Sequence, residues 1–156
     1  MIETIIRSER VVTPSSVGRA SVHISGGKIA RLGEWDDVPV DIRLIDAGES
    51  VVMPGNVDAH VHVNEPGRTE WEGYLTATRA AAAGGVTTIV DMPLNSIPPT
   101  TTLAEFDEKL LAAEGKCTVD VAFWGGVVPG NVAELEPLVE RGVRGFKCFL
   151  IHSGVD

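Results

Sequence analysis

The sequence predicts an α/β protein from the order of its expected strands and helices. Short strands with tight turns fill residues 1–53, whereas strands and helices alternate four times from residue 54 to residue 156. Strands that alternate with helices over short connections form a parallel sheet with helices outside it. Four such strands fit a small open sheet, and they equally fit the first half of an eight-stranded (β/α)8 barrel.

Composition limits the classes of protein to which the chain can belong. The 156 residues are 44% hydrophobic, with a net charge of −9 and 13 scattered lysines and arginines. Such a chain is large enough for one core, and neither nucleic acid nor an anionic membrane is an expected partner. No run approaches the roughly 20 apolar residues of a membrane span, and the first residues do not resemble a signal peptide. Two cysteines without a secretion signal fit a reducing compartment, so we expect a cytoplasmic protein.

Residues 1–53 are expected to form a small antiparallel β unit. The first two strands are "TIIRSERVVT" and "ASVHIS", and "KIARLG" is the third. Gly26-Gly27 predicts a two-residue hairpin turn, because both glycines can adopt positive φ. "IRLIDA" and "SVVMPG" continue the pattern, and Pro54-Gly55 closes it.

The first two strand–helix repeats follow directly. "NVDAHVHV" is a strand, and Thr69 with Glu72 predicts a capping box that opens a helix, which Gly84-Gly85 ends. "VTTIVDM" is a nearly all-apolar strand of the kind that is buried on both faces. The expected buried face of the helix consists of Trp71, Tyr74, Leu75, Thr78 and Ala82.

The last two repeats have similar signals. Thr102 and Glu105 predict a second capping box, whose helix carries Leu103, Phe106, Leu110 and Leu111 and ends at Gly115. "TVDVAFWGGVV" is the third strand. Asn131 predicts the cap of a helical segment that is interrupted or restarted at Pro137 and ends near Gly142. "GFKCFLI" is the fourth strand, and no helix follows to cover it before the last residues, "IHSGVD". An uncovered parallel edge strand is a liability, so we expect the sequence to be truncated.

His60 and His62 are the first candidate site residues. Positions i and i+2 of a strand point to the same face, so both imidazoles converge near the strand's C-terminal end. Barrel active sites lie at that end, and imidazole is the commonest neutral metal ligand. The alternative is a pair of hydrogen-bonded strand histidines. Asp58 shares their parity, and it either orients a histidine as a hydrogen-bond acceptor or caps the strand.

Lys147 lies among small and apolar residues in "GFKCFLI", in a strand that should be buried on both faces. An unpaired ammonium there carries a desolvation penalty of several kcal/mol. A lysine escapes that penalty as a neutral amine, or by adding CO2 to form a carbamate that resembles a carboxylate ligand. The alternative is a lysine that extends its ammonium to solvent at the strand end.

Further candidates lie in the loops. Asn95 follows the second strand, where its amide can hold the carbonyl and N–H of a ring substrate, or it is an ordinary turn residue. His152 lies past the fourth strand, as a substrate contact or a loop residue. His23 in the N-terminal hairpin is expected to be structural, and Cys148 is expected to lie in the core, facing away from Lys147.

The stretches "VVMPGNVDAHVHVNEPGR", "AAAAGGVTTIVDMPLNS" and "GFKCFL" together resemble the cyclic amidohydrolases, over essentially the whole chain. The resemblance implies a (β/α)8 TIM barrel preceded by part of a small β-sandwich domain. Residues 1–53 would be N-terminal strands of the sandwich, and residues 54–156 would be the first four βα units of the barrel.

The same resemblance implies a binuclear metal site at the barrel mouth. The metal ligands would be His60, His62 and a carbamylated Lys147, which bridges two divalent ions, zinc being the expected metal. Two further histidines and the catalytic aspartate would come from later strands, beyond residue 156, so no catalytic residue is expected within this chain. The whole protein would be a homo-oligomer, as a tetramer.

Departures within the family indicate the substrate. Asn64 stands where dihydroorotase-like members carry an arginine that grips a carboxylate, and His152 stands where hydantoinase-like members usually carry a tyrosine. "HVHVNEPGRTEWEG" and "MPLNSIPPTT" resemble the branch that acts on allantoin, a neutral ring ureide. The implied reaction is metal-assisted hydrolysis of the cyclic amide to allantoate.

Other functions stay open at this point. The alternatives are a hydantoinase, dihydropyrimidinase or dihydroorotase-type enzyme, a non-catalytic scaffold of the same fold, and a small α/β binding module that is complete at residue 156. The chain by itself is expected to be inactive and not to fold stably, because half a barrel exposes apolar strand faces.

Overall fold

The computed structural model describes residues 1–152, and the chain divides into two compact units between Pro54 and Gly55. The assignment of residues 1–53 to a β-sandwich domain and of residues 54–156 to a barrel stays a prediction. Within residues 1–152, every helix is too short or too polar to cross a bilayer.

The N-terminal unit is a mixed sheet. Its strands are β1 (Thr4–Val12), β2 (Val17–Ser25), β3 (Lys28–Gly33), β4 (Arg43–Asp46) and β5 (Val51–Val52). The hairpin prediction is confirmed: β2 and β3 are antiparallel, and the turn glycines Gly26 and Gly27 have φ of 56° and 70°. The prediction of a wholly antiparallel unit is wrong, because β4 and β5 both run parallel to β1. Residues 34–42 cross back over the sheet instead of making a tight turn, which reverses the direction of β4.

His23 is structural in this unit, as expected. Its side chain is 1% exposed, and its Nε2 lies 2.9 Å from the hydroxyl oxygen of Ser21. The Ser21 hydroxyl also donates to the Glu34 carbonyl at 2.8 Å. The imidazole is therefore held inside the sheet by a hydrogen-bonded network.

The C-terminal unit carries the parallel strands. β6 (Asn56–Val61), β7 (Val86–Asp91) and β8 (Asp120–Phe123) form a three-stranded parallel sheet in the order β6-β7-β8. β9 (Gly125–Gly126) continues from β8 after one residue and pairs in parallel with β10 (Phe146–Lys147). The four predicted strands therefore follow one another in chain order across parallel pairings, β8 and β9 together being the third.

Three helices lie between these strands: α1 (Tyr74–Ala83), α2 (Leu103–Ala113) and α3 (Val132–Arg141). The capping box of α2 is confirmed, since the Glu105 N–H donates to the Thr102 hydroxyl and the Thr102 N–H donates to the Glu105 carboxylate. The helix is followed by Gly115, which has φ of 71°.

The prediction of a capping box formed by Thr69 and Glu72 is wrong. Residues 69–71 form turns, and α1 begins at Tyr74 with Gly73 as its N-cap. The Tyr74 N–H donates to the carboxylate of Glu65 at 3.0 Å, so a residue from the preceding loop caps the helix. The expected apolar face is only partly buried: Tyr74 and Thr78 are inside, whereas Trp71 is 66% exposed.

Helix α3 passes through Pro137 without interruption, contrary to prediction. A proline ring clashes with the carbonyl four residues earlier, and that residue here is Ala133, in the first helical turn. Gly142 closes the helix with φ of 122°, as predicted.

The core of the C-terminal unit includes residues from its strands and from all three helices. Phe123 of β8 makes edge-on ring contacts with Tyr74 of α1 and Phe106 of α2, with ring centroids 6.2 and 5.4 Å away. Leu138 of α3 and Ile89 of β7 complete its centre. This packing holds the helices against the sheet and leaves the strand ends free to carry polar groups.

Candidate metal centre

The histidine pair lies at the C-terminal end of β6. His60 is in the strand, and His62 is the first residue after it. Their ring centroids are 5.3 Å apart and both side chains are exposed, so the strand parity brings the imidazoles together as expected. Among residues 1–152, the ring nitrogens of the pair show no hydrogen bond, which leaves them available to a metal ion. The prediction of hydrogen-bonded strand histidines therefore lacks support, and metal ligation stays a prediction.

The backbone around the histidines is held from three sides. The Ala59 carbonyl accepts a hydrogen bond from the Trp124 indole N–H at 3.0 Å. The Val61 carbonyl accepts from the Met92 N–H at 2.8 Å, and the Val63 N–H donates to the Asp91 carboxylate at 2.8 Å. Each histidine therefore lies next to backbone groups that are held by residues at the end of β7 and by the Trp124 side chain after β8.

Asp58 contacts the backbone of the histidine strand. Its Oδ1 accepts a hydrogen bond from the His60 N–H at 3.0 Å. This contact lies within β6 and is made to the backbone, so it gives no support for an acceptor to an imidazole ring. A role for Asp58 behind the metal ligands stays a prediction.

Lys147 is the last residue of β10 and is half-buried. Its carbonyl accepts from the Val127 N–H at 2.9 Å, and its ammonium nitrogen lies 5.1 Å from the centroid of the Phe149 ring. Within residues 1–152 it forms no ion pair. The expectation of a strand buried on both faces is wrong, because the strand ends at Lys147 and the following apolar residues are exposed.

Cys148 is exposed, so the expectation that it lies in the core is wrong. Parity places a side chain only while the strand continues, and β10 stops one residue earlier.

His152 and Lys147 line the same pocket, of about 400 Å³. Pro93 and Leu94 from the loop after β7 form part of its wall, together with Gly126 of β9. The structure therefore places the predicted substrate residue His152 and the predicted ligand Lys147 on one cavity. Contact of His152 with a substrate stays a prediction.

Asn95 follows Leu94 in the same loop. It is half-buried and has φ of 77°, a left-handed conformation that asparagine tolerates better than most residues. This backbone agrees with the turn interpretation, and a substrate contact stays a prediction.

The topology places these candidates at one edge of the parallel strands. The histidines end β6, Asn95 follows β7 and Lys147 ends β10, which are all carboxyl ends. No three side chains of histidine, cysteine, aspartate or glutamate within residues 1–152 come together as a metal site. Within residues 1–152, two imidazoles without hydrogen bonds to their rings nonetheless fit part of the donor set that zinc prefers.

Sequence reasoning missed a buried polar cluster beside the histidines. Asp91, the last residue of β7, is 0% exposed and Lys109 of α2 is 1% exposed, with Oδ2 and Nζ 2.9 Å apart. The Tyr74 hydroxyl donates to the same Oδ2 at 2.9 Å. The available signals were an aspartate that ends an apolar strand and a lysine three positions after Phe106, on the buried face of α2.

Burial dominates the electrostatics of this cluster. Desolvation raises the pKa of the Asp91 carboxyl, and the charge of Lys109 and the donors on Asp91 oppose that rise. Desolvation lowers the pKa of the Lys109 ammonium, and Asp91 opposes that change. Burial, followed by the charge of Asp91, raises the pKa of Tyr74, so the phenol keeps its proton and donates it in a hydrogen bond.

Comparison with known proteins agrees with this geometry. Residues 51–155 match the sequence profile of the amidohydrolase family. The chain is 58% identical over 153 residues to a mitochondrial allantoinase of Aquarana catesbeiana, covering 97% of this chain and 32% of that protein. It is 64% identical over 105 residues to an allantoinase of Saccharomyces cerevisiae, covering 67% of this chain and 23% of that protein.

Solved structures show the same relationship at the level of the fold. An L-hydantoinase (dihydropyrimidinase) from Arthrobacter aurescens superposes with a TM-score of 0.89 and 37% identity, over 98% of this chain and 34% of that chain. The chain spans about a third of the length of the Aquarana catesbeiana allantoinase and of the Arthrobacter aurescens hydantoinase. The predicted fold class is confirmed, and the chain belongs to the amidohydrolase family.

Proposed function

We propose that the whole protein hydrolyses the cyclic amide of allantoin to allantoate. The observation that carries this proposal is the contrast in identity. The chain is 58% identical to a protein named allantoinase and 37% identical to one named L-hydantoinase, over nearly the same residues. Hydantoin-type rings are therefore the second candidate substrate, favoured by the structural similarity.

The proposed cofactors are two divalent metal ions, with zinc as the expected metal. His60 and His62 would hold one or both ions through ring nitrogens that the described residues leave free. The ions would supply Lewis acidity and an activated water for attack on the amide carbon.

Lys147 would complete the ligand set contributed by this chain. Its neutral amine would add to the carbon of CO2, forming an N–C bond and releasing one proton, which gives a carbamate anion. A carboxylate-like group on a half-buried side chain suits a hard or borderline cation better than an ammonium does. The short strand β10 fixes the lysine backbone through the bond from Val127.

Substrate orientation would fall to the loops at the same edge. Asn95 would hold the ring amide through its carbonyl and NH2 groups, and His152 would contact the ring from the pocket that it shares with Lys147. Asp58 would support the histidine strand through its bond to the His60 N–H. The remaining ligands and the catalytic aspartate are proposed to lie beyond residue 156.

Assembly and location belong to the same proposal. We expect a homo-oligomer, a tetramer, which light scattering on the purified protein tests. Cytoplasmic location stays a prediction, and one matched relative is named as mitochondrial.

Substrate assays on the whole protein test the proposed reaction. The value of kcat/KM for allantoin should exceed that for dihydroorotate by at least about tenfold, because Asn64 stands where an arginine would grip the carboxylate of dihydroorotate. It should also exceed the values for hydantoin and dihydrouracil, as the higher identity to relatives named allantoinase indicates. Dialysis against a chelator should abolish activity, and zinc should restore it. Preference for hydantoin or dihydrouracil would replace the proposed substrate with the second candidate, and a protein without metal or activity would indicate a scaffold.

A further inference from the structure

The cluster of Asp91, Tyr74 and Lys109 contacts the backbone directly after the histidine pair. β6 ends at Val61, whose carbonyl accepts a hydrogen bond from the Met92 N–H, directly after the neighbouring strand β7. Two residues later, the Val63 N–H donates to Oδ1 of Asp91 at 2.8 Å. A side chain thus takes over the role of the backbone acceptor beyond the strand end. His62 lies between these two fixed points.

The other contacts of Asp91 hold its carboxylate in one orientation. Oδ2 accepts from the Tyr74 hydroxyl and from the Lys109 ammonium, each at 2.9 Å. Lys109 also donates to the Met92 carbonyl at 3.2 Å, and the N–H of the same Met92 donates to the Val61 carbonyl. The carboxylate therefore has one oxygen committed to α1 and α2, and the other committed to the segment after His62.

A purely structural role does not account for the choice of residues. A buried ion pair contributes little net stability, and apolar side chains of similar volume often serve as well or better. An apolar side chain cannot, however, accept the Val63 N–H. Of the contacts that require an oxygen at position 91, the bond from the Val63 N–H is the one that holds the backbone beside His62.

We propose that Asp91, oriented by Tyr74 and Lys109, is a positioning residue that fixes His62 for metal binding. The inference rests on the proposed function only in taking His62 as a metal ligand. Loss of the Val63 bond should let the backbone at residues 62 and 63 move, so the imidazole would no longer be held in position for the ion. Groups behind metal ligands typically change metal affinity by about 10- to 100-fold.

Paired substitutions in the whole protein separate positioning from stability. Asp91→Leu with Lys109→Met removes the ion pair and the acceptor for Val63. Asp91→Asn with Lys109→Met removes the same charges but keeps an amide oxygen for the Val63 N–H. Asp107→Leu with Arg141→Met is the matched control, because it deletes an ion pair between α2 and α3 that does not touch the histidine strand.

The readouts are the zinc dissociation constant, from competition with a chromophoric chelator, and the visible spectrum of the Co²⁺-substituted protein. The Leu/Met pair should bind zinc about tenfold more weakly and shift the Co²⁺ spectrum, whereas the Asn/Met pair and the control should match the unsubstituted protein. Measurements are made below the unfolding temperature of every variant. Unchanged affinity and spectrum in the folded Leu/Met pair would overturn the proposal.

Two further outcomes are decisive. If the Leu/Met pair does not fold, Tyr74→Phe, which removes one hydrogen bond to Asp91, should weaken zinc binding by about threefold, and an unchanged constant would overturn the proposal. If the unsubstituted protein binds zinc through His62 but leaves allantoin intact, the proposed function fails while the positioning role of Asp91 stands. If His62→Asn leaves zinc affinity unchanged, the positioning role itself fails.

Discussion

The ionisable side chains at the candidate site differ in their exposure to solvent. His60 and His62 are exposed and lack hydrogen bonds to their rings among residues 1–152, so a metal ion would meet no internal competitor. Asp91 at the end of β7 and Lys109 on α2 are buried, so each depends on the other and on neighbouring hydrogen-bonding groups. The ionisable side chains thus divide into exposed ones, which are available to a ligand, and buried ones, which bond to the backbone.

We expect substitutions of His60 and His62 to affect metal binding, and a substitution of His152 to affect substrate binding. His60→Asn or His62→Asn should lower the zinc content of the whole protein and reduce kcat/KM by at least about a thousandfold, since each removes a proposed ligand. His152→Asn should raise KM for allantoin and leave the zinc content unchanged. Metal analysis after gel filtration and steady-state kinetics check both results. Full zinc content in His62→Asn would contradict the ligand assignment.

Cys117 offers a test of the local electrostatics. Partial burial raises the pKa of the thiol, the Glu65 carboxylate raises it further, and the Lys116 ammonium lowers it. Only the thiolate reacts with iodoacetamide, so the midpoint of the rate against pH should lie above that of glutathione. Lys116→Gln should move the midpoint higher still.

Peptide-level mass spectrometry follows Cys117 separately from every other cysteine. Lys28→Gln, an exposed lysine of the N-terminal hairpin, is the control and should leave the midpoint unchanged. A midpoint below that of glutathione would show that Lys116 outweighs burial.

At the level of secondary-structure elements, the loop residue Glu65 caps helix α1. Glu65 is buried, accepts the Tyr74 N–H at the start of α1 and pairs with Lys116 beyond α2. The Asn64 N–H donates to the Glu72 carbonyl at 2.9 Å, which closes the same loop. The segment after the histidine strand is therefore fastened to two helices, and α1 depends on it for its cap.

Removal of this cap should loosen α1. Glu65→Ala should lower the stability of the helix by about 1–2 kcal/mol, because a buried N–H loses its acceptor and Lys116 loses its partner. Glu65→Gln keeps the acceptor and should cost less. Hydrogen exchange of the peptide that spans residues 74–83, in the whole protein, measures the change.

The control for that experiment is Glu70→Ala, which changes an exposed glutamate of the same loop. Exchange in α1 should stay at the level of the unsubstituted protein. Equal acceleration in Glu65→Ala and Glu70→Ala would show that the loop acts as a whole and that Glu65 is not the specific cap.

The chain as a whole presents apolar side chains to solvent near the strand end that carries Lys147. Leu150 is 97% and Ile151 is 79% exposed, and Phe149 beside them is also exposed. Relatives that are about three times longer have further residues with which to cover such a surface. Large exposed apolar patches indicate interfaces or a tendency to aggregate.

Residues 1–156 expressed by themselves should therefore bind the dye anilinonaphthalene sulfonate and should not hydrolyse allantoin. The dye becomes fluorescent on exposed apolar surface, and the whole protein at equal concentration is the control. A cooperative thermal transition without dye binding, or ring opening by these residues alone, would contradict the expectation.

Local features of the fold were accessible from the sequence. The Gly26-Gly27 turn, the Thr102–Glu105 capping box and the adjacency of the His60 and His62 rings each depend on residues at most a few positions apart. Backbone geometry and hydrogen-bond reach decide such features, and both act along the chain. The family resemblance, which rests on several separated motifs, extended the interpretation to the proposed metal ligands.

Other features depend on residues that are far apart in the chain, and folding alone brought these together. The Tyr74 N–H reached Glu65 instead of the predicted cap, β4 paired in parallel with β1, and Asp91 found Lys109 on the next helix and Val63 on the preceding strand. Burial and hydrogen bonding between distant segments set these contacts, and no periodicity in the sequence records which segments will meet. The histidine pair is therefore visible in the order of the residues, whereas the cluster that holds it in place exists only once the strands and helices have packed.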